Sequence, residues 1–60
     1  MNMSIWLHKT VEAESALKNA TMNKDKDLEE FYEFVFFKLY EFCIKTFGVE
    51  FEKEWRKSHK

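Results

Sequence analysis

The chain has no proline, one glycine and one cysteine in 60 residues, and little charge of one sign, with ten Lys/Arg against eleven Asp/Glu. Each shortage excludes something. A disulfide framework needs a second cysteine, and a structural zinc needs four clustered Cys/His ligands, whereas Cys43, His8 and His59 stand far apart. Residues 1–30 carry a net charge of -2 and residues 31–60 a net charge of +1. Neither half has the basic excess that gives a general polyanion binder its phosphate affinity. The longest uninterrupted apolar run, Phe34 to Phe37, is four residues, against about 20 for a membrane span. Met1 to Leu7 has no basic start and meets His8 and Lys9 after three apolar residues, too few for a signal peptide. The expectation is one small domain over residues 1–60, with no membrane association, in a cytoplasmic setting that keeps a lone thiol reduced. Seven Phe and nine Lys beside one Gly and no Pro hint at an AT-rich genome, as in some bacteria and their phages.

What is present points to helices. Few breakers interrupt the chain, and its apolar residues recur at helical rather than alternating spacing. The reading is all-α, with three helices. The first runs from Ser4 or Ile5 to Ala20 with Ser4 as its N-cap, placing Trp6, Thr10, Ala13, Leu17 and Ala20 on one stripe. Thr10 offers an alternative cap for a helix starting at Val11, with Ile5 to His8 as an extended arm. Thr21 to Lys26 is polar and turn-like, short enough to bring the next helix back antiparallel. The central helix then spans Leu28 to Phe47, with Asp27 as N-cap, Glu30 completing a capping box and Gly48 supplying a left-handed C′ residue. A short third helix, Val49 to Lys57, carries Lys53, Arg56 and Lys57 toward its C-terminus, where the dipole favours cations. Ser58 to Lys60 reads as a frayed end.

The central helix has too much apolar surface for so small a domain. At about 100° per residue from Glu30, Leu28, Phe31, Tyr32, Val35, Leu39, Phe42 and Cys43 share an arc from about 100° to 220°, the expected core face. Phe36, Tyr40 and Phe47 widen it to about 280°, more than one neighbouring helix covers. Phe34, Phe37 and Ile44 fall on the remaining side, among Glu30, Glu33, Lys38, Glu41 and Lys45. A chain of this length buries only about 60% of its unfolded surface, and no metal or disulfide reinforces it, so oligomerisation or a partner is the remaining support. Aromatic side chains dominate interface energies because each buries a large area with few rotors to freeze. The expected function is therefore non-enzymatic regulatory binding. A small adaptor, inhibitor or modulator, as a homodimer, would contact a larger protein through Phe34, Phe37, Ile44 and Trp55, with Trp6 as a further anchor.

Other chemistry is weaker on the page. His8 and Glu12 stand i, i+4, but two ligands make no metal site. Cys43 falls on the apolar face, where a thiol loses reactivity, and no cofactor motif occurs. Glu12 with Glu14, and Glu50, Glu52 and Glu54, form solvated charge runs rather than catalytic pairs. Lys53, Trp55, Arg56, Lys57 and Lys60 form a basic segment with an aromatic, a pattern of single-strand nucleic-acid binders, interrupted here by Glu52 and Glu54. A structural homo-oligomer with no separate target is the other alternative. Leu28-x-x-Phe31-Tyr32, followed by Leu39 and Trp55, resembles in outline the haemolysin-expression modulator family, small all-helical proteins that bind a nucleoid protein. Val35 to Lys38 stand where that family carries an Ala-Asp-His-Arg-like stretch, so no residue role is carried over.

Overall fold

The computed structural model describes residues 2–59, which form three helices: α1 (Met3–Met22), α2 (Lys26–Phe47) and α3 (Val49–Ser58). The expected all-α architecture is what is found: α1 packs mainly on α2, antiparallel to it, and the short α3 folds back against both.

Helix α1 is continuous through Thr10, so no extended arm precedes it. Its cap is Asn2 rather than Ser4: the Asn2 side-chain oxygen accepts from the Ser4 amide at 2.9 Å, leaving Ser4 inside the first turn. Thr10, the alternative cap, is instead a fully buried mid-helix residue whose hydroxyl donates to the Trp6 carbonyl at 2.8 Å.

The connection between α1 and α2 is shorter than expected, and its hydrogen bonding explains why. Lys24 adopts a left-handed conformation with φ 57. It donates to Thr21 O at 3.1 Å, and the Asp25 amide donates back to Ala20 O at 3.0 Å. This is a Schellman closure with lysine in the place glycine usually takes. Asp25, next in line and extended, then caps α2, its carboxylate accepting from the Leu28 amide at 3.2 Å. Asp25 thus replaces Asp27 as the cap. Asp27 and Glu29 lie within the first turn, where the positive helix end favours them, and the expected Glu30 capping box does not form. At the other end α2 stops at Phe47 as expected, but Gly48, at φ 67 and ψ -136, is itself the C-cap of α2 and the N-cap of α3 rather than a C′ residue in the αL conformation.

The core is small. Fully or nearly buried residues are Thr10, Ala13, Ala20, Cys43 and Phe51, so Phe51 is the one large apolar side chain wholly enclosed among the described residues. Thr10 Oγ1 and Cys43 Sγ meet at 3.6 Å where α1 crosses α2. On the adjoining flank of α2, α3 packs an aromatic cluster. Trp55 lies 5.6 Å from both Phe36 and Tyr40, and Phe51 lies 5.8 Å from Tyr40. The widening of the α2 apolar sector by Phe36 and Tyr40 is thus covered from within the chain.

Two assignments to the core need correction. Phe31 and Leu28, expected on the buried arc, are 58% and 46% exposed, and Val35, Leu39 and Phe42 are only half-buried. Because α3 occupies the Phe36–Tyr40 flank and α1 the Cys43 side, the covered sector is rotated away from the Leu28–Phe31 edge. The expected fraying also fails for His59. Its ring stacks on Trp55 at 4.0 Å, Nε2 lies 2.6 Å from Glu14 Oε1 on α1, and Nδ1 lies 2.7 Å from Trp55 O. Ser58 belongs to α3, its hydroxyl donating to Glu54 O at 3.2 Å. Lys60 lies outside the described residues.

Candidate protein-interaction surfaces

Phe34 and Phe37, one turn apart on α2, are 63% and 59% exposed. They floor a shallow groove bordered by Glu30, Glu33, Lys38 and Glu41. Its border is mostly anionic: Lys38 turns its ammonium over the Phe34 ring at 5.6 Å, and the Lys45 ammonium bonds Glu41 at 3.0 Å. That hydrogen bond, followed by the charges of Lys45 and Lys38, holds the Glu41 carboxyl below its ordinary pKa and so keeps it ionised. The strip continues through the Phe37 ring, 5.8 Å from Phe36, into the cluster that contains Trp55.

The other candidate residues lie differently. Ile44 is half-buried one turn beyond Glu41 and two turns beyond Phe37, on the same seam of α2. Trp55 is half-buried among Phe36, Tyr40, Phe51 and His59, so it supports the strip from behind. Trp6 sits on the far side of α2, its ring 4.8 Å from Phe42. Phe34 and Phe37 therefore share one surface, Ile44 and Trp55 border it, and Trp6 belongs to another.

That other surface is a groove between α1 and α2, on the flank opposite α3. Trp6, Lys9, Glu12, Ala13, Ala16, Tyr32, Val35 and Leu39 line its first half. Ala16 and Tyr32 recur in the second, with Asn19, Ala20, Asn23, Asp25 and Leu28. The exposed Phe31 ring lies edge-on to Tyr32 at 5.2 Å. Sequence reasoning missed this groove because it placed Phe31 and Leu28 in the core. The available signal was on α1, where Ala13, Ala16 and Ala20 are too small to reach across and cover a neighbouring helix.

Several other polar groups pair on the surface. His8 and Glu12 pair at 2.8 Å with both side chains exposed. Arg56 and Lys57 each bond a carboxylate of their own helix, Glu52 at 2.7 Å and Glu54 at 3.4 Å. Cys43 is fully buried. Among the described residues no three His, Cys, Asp or Glu side chains gather as a metal site, and no helix is long and apolar enough to cross a membrane.

Comparison with protein-family models, with curated proteins and with solved structures returns no significant match. The functional reading therefore rests on these surfaces.

Proposed function

We propose that this chain is a non-enzymatic regulatory interaction module, a small adaptor, inhibitor or modulator that docks on a larger protein and acts as a homodimer. The observation that carries the proposal is the pair Phe34 and Phe37, each more than half exposed on a helix whose other aromatic flank is packed by α3. At roughly 200 Å2 per phenylalanine side chain, each leaves about 120 Å2 in water. Burying that area is worth about 3 kcal/mol per ring, in the range of an interface anchor. The carboxylates of Glu30, Glu33 and Glu41 around the rings call for a partner surface that combines an apolar centre with cations.

A photo-reactive phenylalanine analogue at position 37, introduced in the source cells, tests this reading. The expected result is a discrete covalent adduct with one larger protein, lost when Phe34 is replaced by Glu. Adducts only with a second copy would favour the rival reading, a structural homo-oligomer. No adduct at position 37 in a folded chain overturns the docking role of the strip.

A further inference from the structure

We infer that the exposed rings Phe31, Phe34 and Phe37 of α2 dock an amphipathic helix of the partner protein, one whose apolar stripe is flanked by lysine or arginine. This rests on the docking role of the Phe34–Phe37 strip and adds what the partner presents to it.

The three rings are 58%, 63% and 59% exposed. At i, i+3, i+6 spacing each is turned about 60° from the last and displaced by about 4.5 Å along the axis. Together they make an oblique ridge, which Leu28, 46% exposed, continues by one step toward the N-terminus. A ridge of residues three apart packs into the groove between residues four apart on another helix. All elements among the described residues are helices, so there is no sheet edge to which an extended segment could add. The occupant whose form fits this ridge is a helix.

The charge beside the ridge decides which kind of helix. Glu30 and Glu33 form the row one position before the rings; both are exposed, and both border the groove that Phe34 and Phe37 floor. Glu41, on the other border, is engaged by Lys45 at 3.0 Å. Lys38 is turned over the Phe34 ring at 5.6 Å. Glu30 and Glu33, by contrast, form no ion pair among the described residues. Nor does the helix dipole account for them, because it favours acids in the first turn, here Asp27 and Glu29, and the two glutamates lie beyond it. Two carboxylates without an intramolecular cation, set against exposed rings, complement cations that flank an apolar stripe. The stems of such lysines or arginines can lie along the rings while their heads reach the carboxylates. Anionic lipid headgroups and nucleic-acid phosphates would meet like charge here, and a second copy would bring the same two acids to the seam.

The test uses the purified full chain and two dye-labelled peptides of roughly 20 residues, long enough to hold a helix. Both carry leucines at i, i+3, i+4, i+7 spacing; one is flanked by lysines and the other by glutamates. Fluorescence anisotropy at low salt is expected to show the lysine peptide binding at least about tenfold tighter than the glutamate peptide, with the preference shrinking near 1 M salt, where screening acts within about 3 Å. Glu30→Lys combined with Glu33→Lys should invert the preference, and Phe34→Ala should weaken both peptides. Circular dichroism checks that the variants keep their helices, and Glu30→Gln with Glu33→Gln, which should abolish the preference, decides the matter if the lysine variant does not fold. Binding of neither peptide, or of both equally, overturns the inference, as does a preference that survives both glutamate substitutions. Dimerisation of the chain that Phe34→Glu abolishes would give the ridge to a second copy, and co-sedimentation with phosphatidylserine vesicles would give it to a membrane; either overturns the inference. An adduct at position 37 in cells without the charge preference leaves the docking role standing and removes only the basic helix, so the two readings fail separately.

Discussion

His59 and Glu14, 45 positions apart, meet at 2.6 Å and tie the end of α3 to the middle of α1. The second imidazole nitrogen faces the Trp55 carbonyl at 2.7 Å. Both partners are acceptors, so both ring nitrogens are best satisfied as donors, which is the charged imidazolium. The Trp55 carbonyl first, and the Glu14 carboxylate next, raise the His59 pKa above 6.5, opposed by partial burial and by Lys18.

The pH dependence follows from that direction. A group whose pKa is raised on folding contributes its full stability below the unfolded value, here near 6.5, and loses it as pH rises through the folded value. Glu14→Gln should therefore lower the melting temperature more at about pH 5.5 than at about pH 8.5. Thermal melts of both proteins at the two pH values measure this. An equal difference at both would mean the contact does not depend on imidazole charge.

Helix capping gives a sharper test of the local structure. Asp25→Ala removes the acceptor for the Leu28 amide and should cost about 1 kcal/mol. Asp27→Ala removes only a first-turn charge and should cost a few tenths, about 0.3–0.5 kcal/mol. Urea titrations rank the two; the reverse ranking would return the cap to Asp27.

The two residues at positive φ should respond in opposite directions. Around Gly48 nothing lies within 4 Å of an added Cβ, so the penalty for Gly48→Ala is one of backbone conformation, at φ 67 and ψ -136. It is expected at about 1–3 kcal/mol. Lys24 already bears a side chain at φ 57, and Lys24→Gly should stabilise by up to about 1 kcal/mol. Denaturant midpoints of both variants check this, and a loss of stability in Lys24→Gly would contradict the Schellman assignment.

Cys43 reports on opening of the α1–α2 contact. With no exposure and Thr10 against its sulfur at 3.6 Å, the thiol should react with a soluble thiol reagent at least about 100-fold more slowly than in the urea-unfolded chain. Thr10→Val removes the hydroxyl bond to Trp6 O at a cost of about 1 kcal/mol and should speed the reaction. Labelling followed by mass spectrometry measures both rates, and rapid modification of the native chain would contradict burial.

Helical periodicity and Gly48 made three helices and their order legible in the sequence, and Phe34 and Phe37 were readable as exposed because they fall opposite the main apolar arc. The end of α1 and the cap of α2 were displaced by one physical cause at the turn: Lys24 takes a left-handed conformation that its side chain does not advertise, which closes α1 late and starts α2 early. The Phe31 error has another cause. A helical wheel shows which residues are apolar but not where two neighbours dock around them, and α3, anchored through Trp55, draws the covered sector toward Phe36 and Tyr40. The His59–Glu14 contact depends on α3 reaching α1, a long-range meeting that no local pattern encodes.

Hydroxyl-radical footprinting of Phe34 and Phe37, on the purified chain and again in lysate of the source cells, tests most directly that the strip is a docking surface. The account predicts that both rings react freely in the purified chain and become protected in the lysate. Free reaction of both rings under both conditions would contradict it.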